Sequence, residues 1–218
     1  MHRFLSRLGF ALFFALVPAL AHAWNAAGHR LTANIAWQQL SPGSRSFVAN
    51  ALSRHPDYAH WVESAGSTAA IDIFAEAATW PDDIRRDPRF YNDGEEAATP
   101  PLSGLSDTAR HKRWHYIDLN ERGTVKDGEL DHQIERLSQL LRSTRKPEQI
   151  SYALPWLLHL LADIHQPLHV GRDGDKGGNR IEIENPFNKR QPFSKLHTYW
   201  TTCPARPGYV ADGWRKMR

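Results

Sequence analysis

The segment Trp156 to His169 constrains this chain more than any other. Leu157, Leu158, Leu160, Leu161, Ala162 and Ile164 spread apolar surface around most of a helical circumference, which predicts a helix buried on nearly every side. His159 and Asp163 interrupt it, four residues apart and so on one face. A carboxylate inside a core is costly unless it is paired or holds a metal, and neutral imidazole beside carboxylate is a ligand set for zinc. Pro167 ends the helix, because the residue before a proline is pushed out of the α region, and the chain can then fold back to present His169. An isolated His-Asp pair is more often a hydrogen-bonded core pair than a metal site. Here further candidate ligands elsewhere in the chain favour the metal.

The amino terminus bears on one of them. Arg3 and Arg7 precede an apolar run from Leu8 to Val17, and Ala21-His22-Ala23 follows. A short basic region, an apolar stretch too brief to span a bilayer comfortably and an Ala-x-Ala end predict a signal peptide over 1–23, hence export to the periplasm or the medium and no stable membrane insertion after cleavage. The mature chain is then expected to begin at Trp24, whose freed α-amino group, with a pKa near 8, can lose its proton beside a metal. Residues 24–218 are enough for one domain with a real core. The formal charge of +3 includes Arg3 and Arg7, so the mature value lies near +1 and gives no argument for a basic nucleic-acid groove. Cys203 is the only cysteine and cannot form an internal disulfide.

His29 follows Trp24 by five residues and leads into a helical pattern from Leu31 to Leu40. Ser41-Pro42 reads as an N-cap followed by proline at the first helical position, opening a helix to about Leu52. His55 and His60 read as surface histidines near a turn. Ile71 to Trp80 is an apolar helix stopped by Pro81, with Asp82-Asp83 after it. From Arg85 to Arg110 the chain is rich in Pro, Gly, Asp and Ser and reads as a long irregular loop. Arg113-Trp114-His115-Tyr116-Ile117-Asp118 then flanks one His and one Asp with bulky apolar neighbours. Asp131 to Leu141 is an amphipathic helix, and Lys146-Pro147 begins the central one. After His169 a Gly-rich loop runs to Gly177-Gly178-Asn179, Ile181 to Glu184 alternates as a short strand, and His197 sits in Lys195 to Trp200.

Taken in order, Trp24 with His29, Thr79-Trp80-Pro81-Asp82, Trp114 to Asp118, His159-x-x-x-Asp163-x-x-Gln166-Pro167-Leu168-His169, Gly177-Gly178-Asn179 and Leu196-His197-x-x-Trp200 resemble the three-zinc single-strand nucleases of fungi, plants and bacteria, the S1/P1 type. That family shares its fold with bacterial zinc phospholipase C. The resemblance implies an all-α, single-domain helical fold with a small β-hairpin excursion, covering 24–200. It implies one zinc on the Trp24 amine and carbonyl, His29 and Asp163, a second on Asp82, His115, His159 and the bridging Asp163, and a third on His169 and His197. Asp118 matches the acid that orients or activates water, and Tyr116, Gly177, Gly178 and Asn179 match positions that bind a nucleobase or substrate edge. The implied activity is that of an endonuclease and 3′-nucleotidase acting on single-stranded DNA and RNA and leaving 5′-phosphates. Two metals roughly 3.5 to 4 Å apart suit an in-line phosphoryl displacement without a covalent nucleophile. The implied partners are single-stranded nucleic acid and nucleotides, with no protein partner.

Two departures stand out. Thr201 occupies the place of an Asp that completes the third zinc site in the family, which weakens that site, and 201–218 reads as an aberrant tail with no helical pattern after Cys203. Loss of one G from codons for Trp-Asp-Asp-Leu yields the run Trp200-Thr201-Thr202-Cys203, so an out-of-frame tail is one expectation. Two other readings compete with the nuclease: a zinc phospholipase C on the same scaffold, and an inactive truncated product that binds zinc without turnover.

Overall fold

The computed structural model describes residues 24–172, 174–184 and 192–202. Its frame is helical. Helices α1 (Ala26–Gln39), α2 (Pro42–Leu52), α3 (Tyr58–Ala65), α4 (Ala70–Ala77), α5 (Trp80–Asp83), α6 (Leu130–Ser143), α7 (Pro147–Asp163) and α8 (Leu196–Thr202) carry most of the described chain, with short 3-10 turns at Ile84–Arg86, Lys112–His115 and Pro167–His169. No described helix is long and apolar enough to cross a membrane.

Local chemistry sets the helix ends. The Asn25 side chain caps α1 by accepting from the Gly28 N–H at 3.0 Å, and the Ser41 hydroxyl caps α2 by accepting from the Ser44 N–H at 3.1 Å. Pro81 does not stop α4, which ends at Ala77. It lies in the first turn of α5, where a missing N–H costs nothing, so Asp82 sits on a short helix. The central α7 is buried over most of its circumference, as the leucine spacing predicts, but Leu161 is 40 % exposed and marks its outer face.

The core gathers around Trp80 and Trp156. Their rings meet edge-on at 6.0 Å, with Phe90 at 5.8 Å and Tyr152 at 6.1 Å from Trp80. An indole that buries about 200 Å² gains about 5 kcal/mol of transfer free energy before entropy is counted. The Trp80 N–H donates to Asp57 Oδ2 at 2.7 Å, and Arg89 Nη1 holds the other Asp57 oxygen at 2.9 Å. A buried polar brace thus fixes the residue two before Asp82.

His55 belongs to this brace and not to the surface, which corrects the expectation from sequence; His60 is exposed as expected. The His55 ring stacks on Trp61 at 4.5 Å and accepts the Asp57 N–H through Nδ1 at 3.1 Å. Burial, aided by Arg89 and opposed by Asp57, lowers its pKa from 6.5 to about 4. The unfolded chain therefore takes up a proton that the folded chain refuses, so this stability is full above pH 6.5 and is lost as pH falls toward 4. His55→Asn keeps an acceptor and removes the titration. Urea unfolding across that window should show wild type losing up to about 3 kcal/mol more than the variant. Parallel pH profiles would refute the brace.

Sheet content is small but exceeds the expected hairpin. Strands β1 (Ile117–Leu119), β2 (Val125–Gly128) and β3 (Val170–Arg172) form a sheet in the order β2-β1-β3, antiparallel then parallel. The expected excursion is β4 (Glu182–Glu184) paired antiparallel with β5 (Phe193–Lys195). The parallel pair matters most, because it carries the segments after His115 and after His169 side by side, with Asp118 opposite Gly171.

Candidate metal centre

Five histidines and two aspartates from separate segments converge between α1, α5, α7 and the start of β1. Asp163, at the carboxyl end of α7 and wholly buried, is the hub. Its Oδ1 lies 3.5 Å from His29 Nε2 and 3.5 Å from His169 Nδ1. Its Oδ2 lies 3.2 Å from His159 Nε2 and 3.2 Å from His115 Nδ1. Asp82 faces the same group from α5, 3.9 Å from His29 and His159 and 4.0 Å from His115.

Hydrogen bonds to the backbone select which ring nitrogens face inward. His159 Nδ1–H donates to the Ala78 carbonyl at 2.8 Å, which leaves the Nε2 lone pair toward Asp163. His169 Nδ1–H donates to the His115 carbonyl at 2.6 Å, and His197 Nδ1–H donates to the Gly177 carbonyl at 2.7 Å. Each of these carbonyls fixes a tautomer, as outer partners of metal-bound imidazoles do.

The donor set fits a divalent metal ion such as zinc better than it fits itself. His29 Nε2, Asp163 Oδ1 and His169 Nε2 are buried with no hydrogen-bond partner, an arrangement with a real cost in a core without an ion. His159 Nε2 and His115 Nδ1 face each other at 3.0 Å. Two donors each about 2.0 to 2.1 Å from a tetrahedral ion lie about 3.3 Å apart, close to the 3.0 to 3.5 Å separations here. Burial lowers the pKa of His29 and of His115 to about 3, so both are neutral lone-pair donors. Burial pushes the Asp163 carboxyl up, but His159 and His169 hold it well below the usual range, and Arg85 and the imidazoles do the same for Asp82 against its own burial. Two groups have metal-holding geometry among the described residues: His29 with His159 and Asp163, and Asp82 with His115 and His159.

His169 and His197 stack at 5.3 Å, and among the described residues no His, Cys, Asp or Glu completes a group of three with that pair. Thr201 stands one helical turn after His197 on α8, buried, with its hydroxyl donating to the Thr198 carbonyl. Trp24 packs against α1, where a Cβ on Gly28 would lie 2.8 Å from its own Cβ. Its indole N–H donates to the carbonyl of Ala162, the neighbour of Asp163, at 3.0 Å.

The S1/P1 nuclease family model matches residues 24–207, which takes in all of these side chains. The chain belongs to the S1/P1 nuclease family. It is 29% identical to Endonuclease 1 of Arabidopsis thaliana over 82% of this chain and 52% of that protein, and 24% identical to Nuclease S1 of Aspergillus oryzae over 84% and 55%. A shorter match, 40% identical over 58 residues, links it to Endonuclease 2 of Arabidopsis thaliana, covering 27% of this chain and 19% of that one. The chain spans about half the length of the longer-matching relatives.

Within this S1/P1 chain the other candidate residues fall in different settings. Asp118 lies in β1, three residues beyond His115 and across from Asp127 of β2. The Tyr116 hydroxyl donates to Asp127 Oδ2 at 3.1 Å; burial and that carboxylate raise its pKa to about 12, which keeps it a neutral donor already in use. Gly177 and Gly178 take positive φ, and a Cβ on Gly177 would stand 2.3 Å from the Leu168 carbonyl oxygen, so these glycines let the loop pack under His197. Asn179 donates to the Lys176 carbonyl at 2.9 Å. Sequence reasoning missed Arg85, whose Nε sits 3.1 Å from Asp82 Oδ1. Its spacing of three residues on a helix was the available signal.

Proposed function

We propose that this chain is a zinc-dependent endonuclease and 3′-nucleotidase that hydrolyses phosphodiesters of single-stranded DNA and RNA to 5′-phosphates. The observation that carries this reading is the Asp163 carboxylate, each of whose oxygens faces a different set of imidazoles. Relatives named endonuclease and nuclease support it. Zinc ions held by this donor set would supply concentrated positive charge for the phosphate and acidify water.

The chain's own residues do the rest. His29 and His115 offer neutral lone pairs, His159 turns Nε2 to the same centre, and Asp82 and Asp163 return only part of the charge that zinc would bring, so that the loaded centre would still attract phosphate. Asp118, set on a strand and not a loop, would take the proton of the attacking water as its oxygen bonds to phosphorus. The bond from phosphorus to the 3′ oxygen then breaks, and that oxygen takes up a proton from solvent water, leaving a 3′-hydroxyl and a 5′-phosphate. A cleft of about 370 Å³ lined by Thr79, Asp82, Asp83 and His60 opens beside these donors. Because the donors are deep, a base must leave its stack before its phosphate reaches them, which favours single strands. His169 and His197 would hold a third zinc, weakened by Thr201. The leader supports export to the periplasm or medium, with cleavage freeing the Trp24 amine.

Zinc-loaded protein should cleave single-stranded DNA and leave phosphatidylcholine micelles intact. Chelation should lower that rate at least about 100-fold, and added zinc should restore it. Lipid hydrolysis without DNA cleavage would reverse the assignment, and two to three bound zincs with no turnover of either substrate would identify an inactive zinc-binding product.

A further inference from the structure

We infer that the cleft at the far end of β1 and β3 holds the sugar-phosphate backbone of a nucleic-acid strand beyond the cleaved bond. The inference rests on the nuclease reading and adds a second binding site to it. The cleft has a volume of about 620 Å³, larger than the one beside Asp82, and is lined by Leu119, Asn120, Glu121, Arg122, Lys126 and Arg172 among others. Among the described residues of the lining, Arg122, Lys126 and Arg172 stand with one acid, Glu121, in a chain whose charges otherwise nearly balance.

Its position follows from the sheet. β1 begins two residues after His115 and β3 begins directly after His169, and the two strands run parallel into the cleft with Leu119 opposite Arg172. At about 3.3 Å per residue, Arg172 stands about 10 Å along the strand from His169. A strand whose phosphate sits at Asp163 therefore meets these cations within a few nucleotides.

The turn carrying Arg122 is built and not slack. Asn120 Oδ1 accepts from the Arg122 N–H at 2.9 Å and from the Thr124 N–H at 3.1 Å, and Gly123 takes φ +75°. Cations aimed at successive phosphates give affinity without base preference, through release of condensed counterions.

The test removes the three cations together, as Arg122→Gln with Lys126→Gln and Arg172→Gln. A control removes the same charge from the exposed α6–α7 turn, as Arg142→Gln with Arg145→Gln and Lys146→Gln. Binding of a labelled twelve-residue oligothymidylate to the full chain in chelator is read by anisotropy against salt. Hydrolysis of that strand and of the dinucleotide TpT is read with zinc-loaded protein. The cleft variant should bind the strand about 10- to 100-fold more weakly, with a salt slope smaller by about 2, while its TpT hydrolysis stays within about twofold of wild type. Equal losses in both triple variants, or none in either, would overturn the inference. If zinc-loaded wild type cleaves neither substrate yet only the cleft variant loses strand binding, the nuclease reading falls and the strand site stands.

Discussion

Replacing Asp163 with asparagine should empty both donor groups of metal and lower kcat/KM on single-stranded DNA at least about 1,000-fold, roughly 4 kcal/mol of transition-state stabilisation. The change is nearly isosteric, so the helix and the neighbouring Trp24 contact to Ala162 have no reason to move. What disappears is the negative charge and one of two acceptor oxygens. Oδ1 faces His29 and His169 while Oδ2 faces His115 and His159, so one substitution touches every imidazole in the hub. An amide nitrogen would also point a donor at neutral ring nitrogens already held by burial in the lone-pair form. Zinc per chain by mass spectrometry and the hydrolysis rate, with far-ultraviolet dichroism as a fold check, decide it. A folded variant that keeps two zincs and wild-type turnover would show that Asp163 is only a core acid.

Gly128→Ala should be the most damaging single methyl in the described chain, costing about 3 to 5 kcal/mol and lowering Tm by about 10 °C. Gly128 takes φ +84°, and a Cβ there would stand 2.0 Å from the Tyr116 carbonyl oxygen and 2.9 Å from Ile117 Cα. Both are backbone atoms, so relief requires β2 to move from β1 in the register that pairs Gly128 with Ile117. That displacement reaches His115 and Asp118 on either side, and zinc retention should fall with stability. Gly123→Ala separates the causes: φ is +75° but nothing lies within 4 Å of the new Cβ, so only backbone strain of about 1 to 2 kcal/mol is expected. Equal Tm shifts in the two variants would contradict the close approach.

The parts of this site that the sequence displays are those with a period. His159 and Asp163 declare themselves because an apolar helix has no other reason to carry them at i and i+4, and the structure places them on one face with their functional atoms 3.2 Å apart. Helices α1 and α2 follow from their caps and α4, α6 and α7 from apolar spacing, whereas neither α3 nor α5 has a side-chain cap and α5, at four residues, is too short for spacing to show it. The three-stranded sheet was hidden for a physical reason: β1 and β3 are three residues long, too short for alternation to register. His55 looked like a turn residue because its burial depends on Trp61 and Trp80, which reach it only in the folded chain. Net charge concealed the cleft cations in the same way, since Arg122, Lys126 and Arg172 meet only through strand pairing. The tail expected to be out of frame lies outside the described residues from Cys203 onward.

Diffraction from crystals of zinc-loaded protein, collected on both sides of the zinc edge, tests the central claim most directly. Anomalous peaks are expected between His29 and Asp163 and among Asp82, His115, His159 and Asp163, with any weaker peak beside His169 and His197. Zinc bound only at the surface, with these imidazoles and carboxylates bonded to one another and no peak among them, would contradict the account.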